Sequence, residues 1–537
     1  MFKFCKTIVS LFESKYIRFI TNNTTRFAED DEITENLVGI ESGSGVPLYE
    51  SSGTIMVDNG DTHSIVVGPT GCGKSRAVCK TLITSIISQG ESFLVNDPKG
   101  ELYKNTAAAA LDHYYDIKVL NLRNPQFSHR WNPLALIYFY YTHCKPEKAQ
   151  QAADEFSIAL MSVTANKDDR YWDMVASIYF CAVILLCLYF VSDLEYFILE
   201  NILPFINEDA EDTIRRMMSF MEDPPESIVS GLKSVLNISA DKTKSCIYSV
   251  LHSGIDAIAK NETLLQLFSE NEIDLHEIGL KKTAIYVIYP DEKSSMDNIV
   301  NLFFNQVYMA LLDVCEEMPN DRLPVRVNFV LDEFSNLVSN KGFTNRLTEA
   351  RSKNIRYFLF AQSITQLSEK YSQDIAKTIM SNCTNWISFS SKEIDYLEML
   401  SKLCGSVIDY NGREHPLISP SEMQYLKKTP GGVEVLILRQ GVRPYVVTLP
   451  YFDKIKGFQK YNRANSLNIE FQERTAKNEY KLDLSDWRKM ALNQMQQKST
   501  HEIVSDYPMQ DESSEDDEIK AEIEAKFIEL FGDVDDE

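Results

Sequence analysis

A glycine-rich octapeptide near the start of the chain carries the residue types that bind a nucleoside triphosphate. Its sequence, Gly-Pro-Thr-Gly-Cys-Gly-Lys-Ser, fills the pattern G-x-x-x-x-G-K-[ST] at every fixed position. Glycines let backbone N–H groups turn towards phosphate oxygens, and a helix N-terminus beside them favours negative charge. The expected nucleotide-binding residues are Gly68, Pro69, Thr70, Gly71, Cys72, Gly73, Lys74 and Ser75. Lys74 would contact the β- and γ-phosphates of ATP, and the Ser75 hydroxyl would ligate Mg²⁺.

An acidic pair far along the chain supplies the carboxylates that such a loop requires. The apolar run that ends at Leu331 leads directly into Asp332 and Glu333. At the end of a buried strand, Asp332 would hold Mg²⁺ through its water shell, and Glu333 would orient and deprotonate the attacking water. An acidic pair facing solvent is the alternative. The complete phosphate loop favours the catalytic interpretation, because it needs a partner carboxylate.

Two further polar residues are candidates for sensing or stabilising the phosphates. Gln362 ends the next apolar strand, where its amide could detect the γ-phosphate. Arg351 lies upstream, and a cation there could contact the phosphate of a neighbouring subunit, as arginine fingers do. A solvated basic helix face around Arg351 is the alternative explanation.

Apolar runs and helical periods alternate around these residues, which predicts a doubly wound α/β fold with a mainly parallel sheet. A short strand precedes the phosphate loop and a helix, Arg76 to Ser88, follows it. The other strands are expected at 92–97, 117–122, 284–289, 327–333, 356–361, 385–389 and 433–438.

Residues from about 145 to 275 show long helical periods with almost no strand signal. Within them, Met174 to Val191 is an uncharged run of eighteen residues, long enough to be a transmembrane candidate. A span at this point would separate the two halves of one nucleotide site. We therefore favour a helix buried inside an all-helical bundle.

The two ends of the chain differ in charge. Residues 1–20 mix aromatic and aliphatic side chains with Lys and Arg, which predicts an amphipathic helix on a membrane surface, on a partner or on its own domain. Residues 511–537 hold 13 acidic and two basic side chains, close to half of the formal net charge of −24. The rest of the chain is mildly acidic, so any DNA contact must be local. The ten cysteines include no C-x-x-C pair, which is typical of a reducing compartment.

Several motifs together resemble a known family. They occur in this order: Gly68–Ser75, Asp97-Pro98-Lys99-Gly100-Glu101-Leu102, Trp131-Asn132-Pro133-Leu134, Val330–Phe334, Ala350-Arg351-Ser352-Lys353 and Gln362–Leu367. Over residues 50 to 450 the chain resembles the type IV secretion coupling proteins, the TraG/TraD-like ATPases of conjugative DNA transfer. The resemblance implies a RecA-like P-loop NTPase domain with an inserted all-α domain. It also implies a hexameric ring that uses ATP hydrolysis to pass DNA and relaxase to a secretion channel.

The resemblance also assigns roles and boundaries. Arg351 matches the family's trans-acting arginine and Gln362 its sensor. The expected segments are 1–50 (amphipathic helix and lead-in), 51–145 and 276–455 (the two parts of the nucleotide-binding domain), 146–275 (inserted all-α domain), 456–510 (polar helical extension) and 511–537 (acidic tail).

One departure from the family concerns the membrane. Family members usually begin with two transmembrane helices, whereas here 67 residues without a clear span precede the phosphate loop. The expectation is a truncated or soluble variant on the cytoplasmic side of the plasma membrane, peripheral and held by its first helix or by a separate membrane-protein anchor. A purely cytoplasmic location is the alternative.

Three functions are compatible with these residues. The first is a ring-forming ATPase that delivers a relaxase–DNA or protein substrate to a conjugation channel. The second is a cytosolic DNA translocase of the FtsK/HerA kind, binding single- or double-stranded DNA. The third is a non-catalytic adaptor that uses nucleotide as a clamp. The Asp97–Leu102 and Trp131–Leu134 motifs favour the first, and the presence of Glu333 argues against the third.

Overall fold

The computed structural model describes residues 25–161, 170–290, 294–336, 342–408, 413–456 and 481–506. The amphipathic helix expected at 1–20 and the acidic tail at 511–537 lie outside these ranges. Their expected roles stay predictions.

Fourteen strands form three sheets in the described part of the chain. They are β1 Val38–Gly39, β2 Pro47–Ser51, β3 Thr54–Val57, β4 His63–Val67, β5 Ser92–Asn96, β6 Asp116–Asn121, β7 Thr283–Ile288, β8 Val327–Leu331, β9 Ile355–Ala361, β10 Cys383–Ser388, β11 Ser406–Ile408, β12 Glu414–Pro416, β13 Gly432–Arg439 and β14 Val442–Pro450.

The main sheet has nine strands in the order β14-β13-β10-β4-β9-β8-β5-β7-β6. From β10 to β6 all neighbours are parallel. The β13–β14 hairpin is antiparallel and extends the sheet beyond β10. Strands β4, β5, β7, β8 and β9 are buried along their whole length, because helices cover both faces of a parallel sheet. The predicted α/β class with a mainly parallel sheet is confirmed.

The helices cover the sheet and form a separate layer. They are α1 Asp30–Thr34, α2 Lys80–Gln89, α3 Glu101–Asp112, α4 Ala135–Thr142, α5 Pro146–Met161, α6 Arg170–Phe190, α7 Leu199–Ile202, α8 Glu211–Ser219, α9 Glu226–Leu236, α10 Asp241–Ala259, α11 Glu262–Leu267, α12 Ser294–Glu317, α13 Phe343–Ala350, α14 Ile364–Tyr371, α15 Gln373–Asn382, α16 Ile394–Cys404, α17 Pro420–Gln424 and α18 Leu484–Asp506. Helices α4 to α11 all lie between β6 and β7. Of these, α5 to α11 fall in the part of the chain where the sequence predicts helices only, and α4 lies just before it. The β2–β3 hairpin crosses the segment boundary expected at residue 50. The lead-in and the start of the nucleotide-binding segment therefore share one small sheet.

Helix α6 is the centre of this helical layer. By length and composition, Tyr171–Phe190 is the single helix in the described ranges apolar enough to cross a membrane, and 78% of that window is buried inside the protein. It packs against α5, α9 and α10. The approach of α9 is so close that a Cβ on Gly231 would lie 2.7 Å from Ala182 Cβ. This burial supports the interpretation of the run as a core helix.

The C-terminal helix α18 also packs on the helical layer. Trp487 is fully buried, and its indole N–H donates to the Asn201 carbonyl at 3.0 Å. A buried tryptophan with its N–H satisfied anchors α18 through both apolar contact and a hydrogen bond.

A buried polar network ties together the amino ends of the central strands. Arg356 of β9 is fully buried and donates to Glu91 Oε2 at 2.7 Å, to Asn328 Oδ1 at 2.8 Å and to the Ser44 carbonyl at 2.9 Å. Glu91 also accepts from Arg326 at 3.1 Å. Burial lowers the pKa of Arg356 to about 10, with the Glu91 carboxylate opposing the shift. Hydrogen bonds from the charged Arg356 side chain to Ser44 thereby hold the lead-in segment on the sheet.

Replacing Arg356 with methionine should destabilise the fold strongly. The substitution leaves the largely buried Glu91 carboxylate with fewer partners, and breaking a buried pair costs up to about 3–5 kcal/mol. Chemical denaturation should report that loss, while Lys402→Met, at a side chain that is 81% exposed, should stay within about 0.5 kcal/mol of the parent. An Arg356→Met protein as stable as the parent would contradict a stabilising role for the network.

Candidate functional site

The strand order places four polar segments at one edge of the sheet. Strands β4, β9, β8 and β5 are consecutive parallel neighbours, so their carboxyl ends meet at the same edge. The phosphate loop follows β4, Gln362 follows β9, Asp332 follows β8 and Asp97 follows β5. The Gly68 N–H donates to the Ala361 carbonyl at 3.1 Å, which fixes the start of the loop beside the end of β9.

A cavity of about 310 Å³ opens at this edge, a size in the range of small-molecule sites. It brings together most of the residues singled out from the sequence. They line it as follows: Pro69, Thr70, Gly71, Gly73, Lys74, Ser75, Arg76, Asp97, Pro98, Lys99, Glu101, Leu102, Asp332, Glu333, Gln362 and Lys428. The phosphate loop and the acidic pair therefore face one space, although more than 250 residues separate them in the chain.

Backbone conformation in the phosphate loop depends on its glycines. Gly71 has φ +76° and Gly73 has φ +113°, values that side-chain-bearing residues rarely adopt. Gly68 is needed for space, since a Cβ there would lie 2.6 Å from Phe389 Cβ and 2.9 Å from Cys72 Sγ. Gly68 and Cys72 do not line the cavity and pack close to each other within the loop. The helix predicted from Arg76 begins with a π-helical turn, Ser75–Cys79, before α2.

Lys74 is the buried cation of the site. Its ammonium donates to the Gly68 carbonyl and, at 3.3 Å, to the Pro69 carbonyl. Burial lowers its pKa, and the nearby Cys72, Asp332 and Glu333 groups oppose that shift. Lys74 is only 7% exposed, and its acceptors are uncharged carbonyls. A bound anion would therefore stabilise its positive charge.

The acidic pair lies just beyond β8 and is itself supported by neighbours. The Asp332 carbonyl accepts from Asn96 Nδ2 at 2.5 Å. Burial, followed by the charge of Glu333, raises the pKa of Asp332 to about 7, with Lys74 acting against the shift. Glu333 has φ +53°, an uncommon conformation for a residue other than glycine that is often found at functional sites. Its carboxylate Oε1 lies 3.3 Å from Lys99 Nζ.

Asp97 and Lys99 are site residues that the sequence reasoning missed. Their motif was singled out only as a family feature, without a role. Asp97 is buried and accepts from the Tyr103 N–H at 2.8 Å, at the start of α3, and burial raises its pKa to about 6. Lys99 pairs with Glu333. The available signal was that their motif lies at the end of the strand expected at 92–97.

The β13–β14 hairpin closes the other side of the phosphate loop. The sequence predicted a strand at 433–438, but it predicted neither β14 nor the contacts of the hairpin with the loop. Lys428, just before β13, donates to the Gly71 carbonyl at 2.9 Å. Arg76 donates to Asp453, beyond β14, through Nε and Nη2 at 2.9 Å each. Nothing in the sequence pattern links Lys428 or Asp453 to the loop, because the antiparallel hairpin brings them there.

Arg351 lies away from this cavity. It forms a short 3-10 turn before β9, is exposed, and donates through Nε to the Asp61 carbonyl at 2.9 Å. The seven residues of β9 rise about 23 Å to the opposite edge, where Gln362 lies. Arg351 therefore cannot contact a phosphate held by its own chain. Any phosphate contact would have to be with another subunit.

Residues of the cavity fit a magnesium–triphosphate. The Ser75 hydroxyl and the Asp332 carboxylate are hard oxygen donors, which Mg²⁺ prefers. Over the described ranges, no cluster of three or more His, Cys, Asp and Glu is arranged to hold a metal alone. In nucleotide sites Mg²⁺ is usually held by one or two carboxylates plus substrate phosphates.

Comparison with known proteins identifies what the chain is similar to. The family model described as "Type IV secretory system Conjugative DNA transfer" matches residues 21–408. The conjugal transfer protein TraG of Escherichia coli is 23% identical over 368 residues, 65% of this chain and 55% of TraG. Protein VirD4 of Rhizobium rhizogenes is 21% identical over 368 residues, 66% of this chain and 50% of VirD4. The chain thus spans about half the length of these relatives.

Solved structures share the fold. The plasmid coupling protein TrwB in complex with the ATP analogue ADPNP superimposes with a TM-score of 0.54 at 14% identity, covering 82% of this chain and 95% of TrwB. TrwB in complex with ADP and Mg²⁺ gives a TM-score of 0.55 at 13% identity, covering 82% of this chain and 94% of TrwB. At such identities the likeness concerns the fold.

Lys74→Met should abolish most phosphate binding without unfolding the protein. Hydrogen bonds to charged groups contribute about 1.5–3 kcal/mol, so affinity for magnesium tripolyphosphate should fall about 10- to 150-fold. Calorimetric titration measures this, and Lys402→Met, which removes a remote charge, should bind as the parent does. Equal affinity in the Lys74→Met variant would show that the anion does not occupy the loop.

Proposed function

Because this chain belongs to the type IV secretory system conjugative DNA transfer family, we propose that it is an ATP-hydrolysing coupling protein. It delivers a relaxase–DNA or protein substrate to a type IV secretion channel. The observation that carries the proposal is the single cavity in which the phosphate loop faces Asp332 and Glu333. Family membership favours this function over a cytosolic translocase of the FtsK/HerA kind.

The side chains divide the work of hydrolysis among them. Lys74 binds the β- and γ-phosphates, and Ser75 and Asp332 hold the magnesium ion. When bound, Mg²⁺ would neutralise charge that develops on the phosphate oxygens. Glu333 orients the attacking water and takes its proton, and Gln362, at the end of the adjacent strand, senses the γ-phosphate.

Lys99 is placed to hold the general base. Its ammonium lies 3.3 Å from the Glu333 carboxylate, in a cavity that Lys99 also lines. The ion pair holds the carboxylate near the phosphate end of the cavity. Hydrolysis requires that Glu333 contact water. During turnover the ion pair must therefore open, or one carboxylate oxygen must contact water while the other stays near Lys99.

Arg351 supports a ring as the active assembly. In one chain it lies at the opposite edge of the sheet from the cavity, with an exposed side chain and a backbone contact to Asp61. The family resemblance implies a hexameric ring. In a ring of subunits packed head to tail, the surface that carries Arg351 in one subunit can face the cavity of the next. Arg351 would then stabilise charge in the neighbouring subunit's transition state.

Partners and location follow from the family assignment. The proposed partners are the relaxase–DNA complex, single- or double-stranded DNA, and channel proteins of the secretion system. The protein would work at the cytoplasmic side of the plasma membrane, attached peripherally or through a separate membrane-protein anchor.

Glu333→Gln should retain magnesium–ATP binding and lose hydrolysis. The amide is nearly isosteric with the carboxylate but cannot accept the proton of water, and loss of general-base catalysis costs about 10²- to 10⁴-fold. Steady-state phosphate release measures the rate, and calorimetry with ATP measures the binding.

The same assay with and without DNA separates the candidate functions. A DNA-coupled motor should hydrolyse ATP faster with DNA present.

For the general base, normal turnover by the Glu333→Gln variant would remove Glu333 from the mechanism. A parent protein that binds ATP without hydrolysing it would favour the adaptor.

Mixing two inactive variants should restore activity if Arg351 acts between subunits. Arg351→Ala supplies an intact cavity, and Lys74→Met supplies an intact arginine. With random assembly, roughly one interface in four then contains both groups, so about a quarter of the parental ATPase rate should return. Phosphate release before and after mixing measures it. No recovery, despite mixed rings seen by native mass spectrometry, would count against a trans role.

A further inference from the structure

We propose that Arg76, Tyr451, Phe452 and Asp453 form the nucleoside subsite, in which the Arg76 guanidinium is the stacking surface for the base. The inference rests on the proposed function, because it deepens the description of the same nucleotide site. It assigns a role to the segment after β14, which no sequence motif marks.

A second cavity continues from the phosphate cavity. It encloses about 490 Å³ and is lined by Ser75, Arg76, Lys80, Glu101, Phe452 and Asp453. Three of these residues, Ser75, Arg76 and Glu101, also line the phosphate cavity. The two spaces are therefore contiguous around the first turn of the helix that follows the phosphate loop.

The orientation of the bound triphosphate places the nucleoside in this second cavity. The γ-phosphate end must lie near Glu333 and Gln362, because the attacking water is activated there. Neither residue lines the second cavity. A triphosphate held by Lys74 and Ser75 with its γ-end towards Glu333 directs its α-phosphate, ribose and base to the other side, where Arg76 and Phe452 lie.

Arg76 is held in one orientation there. Its Nε and Nη2 each donate to Asp453 at 2.9 Å, and its guanidinium carbon lies 4.2 Å from the Tyr451 ring centroid. Tyr451 is buried and packs below Gly73 of the phosphate loop. The Arg76 side chain is nevertheless 51% exposed. One face of the guanidinium rests on tyrosine, so the opposite face is available to a base.

The ligand chemistry is that of a nucleobase. Bases stack on arginine planes as they do on aromatic rings, and this contact tolerates any base because each has a π-face. Purines offer the larger face. Arg76 would therefore add affinity for a purine nucleoside triphosphate beyond what its phosphates supply, and a flexible lysine at this position would not replace it.

The test compares magnesium–ATP with magnesium tripolyphosphate, which lacks the nucleoside, on the full chain. Arg76→Lys keeps the charge and loses the plane, and Arg76→Ala loses both. We expect Arg76→Lys to weaken ATP binding on the order of 10-fold, the size of one stacking contact, and to leave tripolyphosphate binding within about twofold. Arg76→Ala should weaken ATP binding at least as much. Lys402→Met is the matched control for a lost charge elsewhere.

Each outcome decides a different point. Equal weakening of ATP and tripolyphosphate by Arg76→Lys would show that Arg76 acts on the phosphates and would overturn the subsite, as would unchanged ATP binding by both variants. Failure of the parent protein to bind ATP at all would instead overturn the proposed function. Selective loss of ATP affinity supports the subsite.

Discussion

Parallel pairing of β4, β9 and β8 is the constraint on which the site depends. These strands are hydrogen-bonded neighbours whose carboxyl ends lie at one edge of the sheet. That pairing brings Lys74 and Ser75 next to Asp332 and Glu333 in spite of the long helical segment between them. Burial raises the pKa of Asp332 and lowers the pKa of Lys74, and the attraction between the two charges opposes both shifts. The chemistry of the site is thus a consequence of strand order.

The two edges of the sheet have different physical roles. At the carboxyl edge, glycines and polar side chains line an open cavity. At the amino edge, Arg356, Glu91 and Arg326 form a largely buried network that fixes the lead-in segment to the strands. Arg351 is exposed beside that network. Burial and hydrogen bonds to Glu91, Asn328 and Ser44 make Arg356 structural. Arg351, close to it in sequence, is exposed and accessible to a neighbouring subunit.

The sequence predicted the strand ends that line the cavity well, because there the signal was local. Apolar runs placed β4, β8 and β9 to within two residues, because strands buried on both faces have continuous hydrophobic sequences. Asp332 and Gln362 could be assigned because they end such runs. Strand β14 was not predicted, since it is an edge strand with mixed exposure and carries Pro444. Lys428, Tyr451 and Asp453 were missed for a different reason: tertiary pairing of the hairpin, rather than spacing in the chain, brings them to the phosphate loop.

The central claim is that the loop and the distant carboxylate hold one metal–triphosphate together. Electron paramagnetic resonance of Mn²⁺ in place of Mg²⁺ tests it most directly, using the parent protein, Ser75→Ala and Asp332→Asn. One tightly bound Mn²⁺ per chain should form only when ATP is present, and either substitution alone should weaken it markedly. Undiminished Mn²⁺ binding in the Asp332→Asn protein, or tight Mn²⁺ binding without nucleotide, would contradict the account.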